Sequence, residues 1–169
     1  MQLLSVAFRL LSLCVLFALA VTDVRSRRLP TGLVIIIGLL FLADALARRM
    51  PVADVMTHVA VAIAVFAACA VLFALNLLGG GDAKLAAAIF LWAGTTLMLP
   101  AFFLISIAGL FVALLSFVAD RLRRPQEARL VRALTLFSSA RGLPYGVALA
   151  AGGGMVIVLP ALLSLTNAR

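Results

Sequence analysis

The sequence predicts an all-α integral membrane protein of about six transmembrane helices, a single polytopic domain over residues 1–169, with its N-terminus outside. Hydrophobic residues make up 66% of the chain and charged residues only 12%, about half the charge expected of a soluble domain. Mean hydropathy is +1.26. Apolar stretches of the length a helix needs to cross a bilayer, about 20 residues, fill nearly the whole chain and leave no room for a separate soluble domain. The net charge of +8 would suggest nucleic acid in a soluble protein. Here it reads as the Lys/Arg excess of cytoplasmic loops, and no nucleic-acid partner is expected.

The first segment runs from Leu3 to Thr22. Ala18-Leu19-Ala20 has the form of a signal-peptide cleavage site, but the only basic residue near its start is Arg9, inside the apolar run. The segment therefore reads as a span, with Arg9 snorkelling to the headgroups. A polar loop follows from Asp23 to Arg28. Segment two, Pro30 to Ala47, begins on a proline, which suits a first helical turn. The loop Arg48-Arg49-Met50-Pro51 is flanked by Asp44 and Asp54, which offset its arginines. Segment three, Val55 to Leu77, ends at Gly79-Gly80-Gly81.

No charge occurs in the 35 residues from Leu85 to Ala119. One helix of that length would measure about 52 Å, against a hydrocarbon core of about 30 Å. Two shorter helices with a break near Pro100 are predicted. Asp120 to Arg141 holds six arginines, and Leu130, Val131, Leu134 and Phe137 recur within it at helical spacing. This predicts a basic amphipathic surface helix near 125–138, or else a solvated loop. The last segment, Leu143 to Leu165, contains Gly152-Gly153-Gly154, which would let a neighbouring helix pack closely. Cys14 and Cys69 lie in apolar runs without metal-ligand spacing and read as small buried residues. His58, the only histidine, reads as a helix-end polar residue, and neither metal nor cofactor is expected.

Six alternating segments put ten basic residues inside (Arg25, Arg27, Arg28, Lys84 and the six arginines from Arg121 to Arg141) and four outside. The positive-inside rule favours that orientation. It places Asp23 and Asp82 on the same, cytoplasmic, side. Of the six acidic residues, Asp44, Asp54, Asp120 and Glu127 lie next to arginines and read as topology and solvation. Asp23 and Asp82 each close a membrane segment. Two close carboxyls share a proton, because like charges cannot both ionise cheaply. One can then act as general base on a water while the other, protonated, polarises a carbonyl. Separate snorkelled charges at two helix ends are equally compatible with the spacing. Glycine permits positive φ and close backbone approach, so Gly79-Gly80-Gly81 could admit an extended peptide, or form a simple turn with Gly79 as a C-cap. Lys84 could hold an anionic dyad or bind lipid phosphate.

At these residues the chain resembles a known family. Gly79-Gly80-Gly81-Asp82 matches a GxGD signature, and Lys84 extends it to GxGDxK. Asp23 followed by Arg27-Arg28-Leu29-Pro30, and the later Leu143-Pro144-Tyr145-Gly146, match two further elements in order. Together they resemble the type IV prepilin peptidases, the membrane aspartic peptidases of the A24 type, and most closely the short Flp/Tad pilus form. The resemblance implies a catalytic pair of Asp23 and Asp82. It implies support or substrate binding by Gly79, Gly81, Lys84, Pro30, Pro144, Tyr145 and Gly146. It further implies cleavage of prepilin or pseudopilin leaders after a glycine, at the cytoplasmic edge of a bacterial inner membrane, with the substrate's apolar stem left among the lipids. Two departures stand out. Thr31 follows Pro30, where the family usually has Asn or Asp, and the paired cysteines of the larger methylating members are missing, which implies peptidase activity alone. A small proton-coupled carrier or a non-catalytic subunit of a pilus or secretion assembly are the other readings. A carrier would show internal repeats, and a silent subunit would lack one of the aspartates.

Overall fold

The computed structural model describes residues 2–26, 28–121 and 145–166, and the described residues are helical with short connections. The helices are α1 (Gln2–Ser26), α2 (Thr31–Ala47), α3 (Val52–Ala74), α4 (Gly80–Ala93), α5 (Met98–Arg121) and α6 (Tyr145–Thr166). Three stretches are long and apolar enough to cross a membrane: Leu3–Ser26, Val52–Ala74 and Met98–Val118. Thr31–Ala47 and Tyr145–Pro160 are shorter apolar helices. The 14 residues of α4 rise only about 21 Å, too little to cross alone. The amphipathic helix expected near 125–138 lies outside the described residues.

α1, α2, α4 and α6 make the core. Leu19, Ile37, Leu85 and Ile89 are fully buried among them, with Leu16, Phe41 and Ile157 nearly so. α3 packs along α4, and α5 along α6. α3 buries none of its residues, so it forms an outer layer. In lipid the drive for such packing is contact between closely fitted helices, which favours small residues at crossings. The glycines of α6 do this as expected. A Cβ on Gly152 would lie 2.8 Å from the Ile105 backbone of α5, one on Gly153 2.6 Å from Ile89 of α4, and one on Gly154 3.0 Å from Leu13 of α1. One glycine triplet thus seats α6 against three helices.

Several boundaries differ from the sequence expectation. α1 continues past Thr22 to Ser26, because Thr22 and Ser26 return their hydroxyls to the Leu19 and Thr22 carbonyls and Arg25 suits a helix C-terminus. α2 begins at Thr31, with Pro30 as its extended N-cap. α3 starts three residues earlier than expected, at Val52 after Pro51. The uncharged run breaks at Gly94–Leu97 instead of near Pro100. Gly94 has φ +57, and a Cβ there would overlap the His58 ring at 2.5 Å. Pro100 sits in the first turn of α5, where an N–H would have no helical partner anyway.

Arg9 does not snorkel, and Asp44 is not a solvated loop charge. Asp44 is fully buried and Arg9 nearly so. Arg9 Nη2 and Arg48 Nε lie 3.4 and 3.1 Å from Asp44 Oδ2. Ser5 donates to Asp44 Oδ1, and Arg9 Nη1 donates to the Ile157 carbonyl at 2.6 Å. Arg9 also lies over the Trp92 ring, 5.7 Å from its centroid. The reason is the cost of an unpaired charge among apolar helices, which the pair removes. His58 is likewise engaged: Nδ1 donates to the Leu91 carbonyl at 2.8 Å, and the ring stacks on Phe41. Neither cysteine is a buried residue: Cys14 is exposed and Cys69 half-buried, and both are free.

Candidate active site

At the end of the bundle opposite Arg9 and Asp44, a cavity of about 540 Å³ is lined by Asp23, Arg28, Leu29, Pro30 and the run Gly79–Asp82. Asp23 stands in the last turn of α1 and is buried. Asp82 stands in the first turn of α4. Neither aspartate lies in a loop. The two carboxyls lie close enough for the Asp23 charge to act on Asp82, so the structure brings the two candidate acids together.

The glycines act through space more than through backbone freedom. Gly79 is the N-cap of α4, not a C-cap of the helix before it, and its φ of −73 is open to any residue. What excludes a side chain is Asp82: a Cβ on Gly79 would lie 2.7 Å from Asp82 Oδ2. Asp82 occupies the third position after the cap and accepts a hydrogen bond from the Gly79 backbone N–H, as the acid of a capping box does. Gly80 and Gly81 are helical. A Cβ on Gly81 would come within 3.0 Å of Leu29, so its absence lets the segment before α2 close against α4. On the other side, a Cβ on Gly146 would lie 2.8 Å from Asp23 Oδ2. Gly146 therefore seats the first turn of α6 directly on the first aspartate.

Three influences act on Asp82, which lies outside the three spanning stretches. Burial is the largest and raises its pKa, the Asp23 carboxylate raises it further, and the Gly79 N–H lowers it. The first two prevail, and the carboxyl is pushed up to about 6. A carboxyl that keeps its proton to that pH beside a second acid can donate while its neighbour accepts.

Of the other residues singled out in the sequence, Pro30 lines the cavity. Tyr145 opens α6 and is 41% exposed, and Pro144 lies outside the described residues. Lys84 does not line the cavity. Its Nζ donates to Thr31 Oγ1 at 3.2 Å, joining the first turn of α4 to that of α2. Sequence reasoning missed this pairing, although it had marked both residues: Thr31 as a departure, Lys84 as a charge that could hold an anionic dyad or bind lipid phosphate. It quoted Arg28 and Leu29 within a matched element but gave them no place in the site, and both line the cavity. Among the described residues no group of three His, Cys, Asp or Glu side chains could hold a metal ion.

The family model described as "Type IV leader peptidase family" matches residues 10–114, a span that holds both aspartates and the glycine run. No curated protein matches the chain, and no solved structure does.

Proposed function

The chain belongs to the type IV leader peptidase family, and from that premise we propose that it is an aspartic endopeptidase cleaving type IV prepilin or pseudopilin leaders with Asp23 and Asp82. The observation that carries this is the shared cavity, lined both by a buried carboxyl and by one raised to about 6. One carboxylate removes a proton from water as it attacks the scissile carbonyl. The protonated partner hydrogen-bonds the carbonyl oxygen and passes its proton on as the C–N bond breaks. The pair ends the cycle again holding one proton between them.

An N-terminus outside and a cavity at the cytoplasmic edge of a bacterial inner membrane complete the reading. The basic loops of the sequence support that orientation. With no paired cysteines beside Cys14 and Cys69, the activity is cleavage without methylation, as in the Flp/Tad form. A cleavage bond just after a glycine suits this cavity, whose own wall is three consecutive glycines and whose polar end adjoins apolar helices.

Co-expression with candidate prepilins, read as a mobility shift, tests the proposal. The unaltered chain shortens its prepilin. Asp23→Asn and Asp82→Asn each abolish the shift while the protein stays in the membrane fraction. Processing by either variant would remove the dyad.

A further inference from the structure

A second concavity, apolar and about 700 Å³, lies between α1 and α6. On α1 its wall includes Leu13, Phe17 and Ala20, and on α6 Val147, Ala151 and Met155. Phe17 and Met155 are 72% and 59% exposed, so the groove opens sideways, away from the bundle. Its long wall runs along α6 from Val147 to Leu159, a rise of about 18 Å at 1.5 Å per residue.

One end of the groove lies near Asp23. Ala20 precedes Asp23 by three residues, so both lie on one face of α1. Val147 directly follows Gly146, whose missing side chain seats α6 on Asp23. Asp23 is thus where a polar cavity and an apolar groove meet.

We propose that this groove holds the apolar transmembrane helix of the substrate. The inference rests on the peptidase reading above and assigns that substrate a second contact. A substrate cut at the membrane edge is continuous through its scissile bond into an apolar helix. With that bond at Asp23 and Asp82, the helix must leave the cavity sideways and descend in lipid. The groove leaves the cavity at Asp23 and descends for about three helical turns. Its apolar lining meets an apolar helix without leaving a polar group unsatisfied. Affinity gained there makes no contact with the reacting atoms. It adds to binding and not to the chemical step.

The test uses the full chain with Cys14→Ala and Cys69→Ala, and a prepilin that the unaltered chain cleaves. Single cysteines are placed at Phe17, at Met155 and, as a control, at Leu114, an exposed residue of α5. Asp82→Asn holds the substrate uncut. Cysteines along the prepilin's apolar helix should form disulfides with Phe17→Cys and Met155→Cys in a helical repeat, and not with Leu114→Cys. In the cleaving enzyme, Ala151→Trp should fill the groove. It should raise KM about tenfold, equivalent to about 1.4 kcal/mol of lost binding, with kcat unchanged, while Leu114→Trp leaves both unchanged. Equal crosslinking from all three positions, or none from the groove although the same cysteine variants cleave when Asp82 is present, overturns the proposal. So does crosslinking at Phe17 by a diazirine-tailed phospholipid that the prepilin does not displace, which would make the groove a lipid site. If the unaltered chain cleaves no prepilin, the peptidase reading fails first and takes this assignment with it.

Discussion

At the residue scale the site depends on what is missing from its glycines. Gly79 and Gly146 each leave space that an aspartate fills, with a Cβ at 2.7 and 2.8 Å from the nearest carboxyl oxygen. An alanine at either position must push a carboxyl aside. Displacement of a reacting group by about 1 Å costs roughly 10²-fold in rate. Gly79→Ala and Gly146→Ala should therefore each lower the rate of prepilin cleavage by about that factor, measured in reconstituted vesicles at equal protein. Gly32, whose Cβ would meet nothing within 4 Å, should accept alanine without loss. The aspartates make a separate prediction. Because the Asp82 carboxyl is raised to about 6, it holds its proton below that pH and loses it above. The rate should then fall about tenfold per pH unit on the alkaline side of an apparent pKa near 6, a value belonging to the pair. A flat profile from about pH 5 to about pH 8 would contradict the shared proton. The sequence made the two acids legible, because a carboxylate beside an apolar run is conspicuous. It did not make legible how the glycines act, since spacing cannot distinguish a residue that must turn from one that must leave room.

At the element scale, the helices were readable and their ends less so. Apolar length located every described helix. Ends depend on local hydrogen bonds that hydropathy does not register, such as the hydroxyl returns of Thr22 and Ser26 and the positive φ of Gly94. The consequence for the site is direct: both aspartates belong to helix turns, so their positions are set by the packing of α1 and α4. The hydrogen bond from Lys84 to Thr31 braces α4 against α2 at that place. It is exposed, and exposed contacts of this kind contribute about 0.2–1 kcal/mol. Lys84→Met and Thr31→Val should each slow cleavage about two- to fivefold, and the double variant should be no slower than either single one. The same variants separate the brace from the other role considered for Lys84. If its ammonium held the anionic dyad, Lys84→Met would move the alkaline limb of the pH profile. As a brace it leaves that limb in place and lowers the plateau.

At the scale of the whole molecule, the bundle is fastened at two ends by different means. At the aspartate end, α1, α2, α4 and α6 meet through glycines, with open volume between them. At the other end, α1, α2 and α6 meet through the buried charges of Arg9 and Asp44, Ser5, and the Ile157 carbonyl. The sequence read Arg9 as snorkelling and Asp44 as offsetting the loop arginines; it could not show that the two pair, because the pairing joins residues 35 positions apart and depends on how α1 crosses α2. This network lies about 21 Å along α1 from Asp23, at 1.5 Å per residue, too far to take part in the chemistry. Its role is to fix the helices from which the site is suspended. Asp44→Asn removes the charge that compensates Arg9 and should destabilise the bundle by about 3–5 kcal/mol, measured by denaturant unfolding in mixed micelles. Arg9→Leu combined with Asp44→Leu removes both charges and should recover most of that loss, because a matched apolar pair replaces an ion pair at little net cost. The double variant should also keep cleaving prepilin at a rate close to that of the unaltered chain. Stability restored without activity would mean that the charges at this end act on the aspartates through the helices.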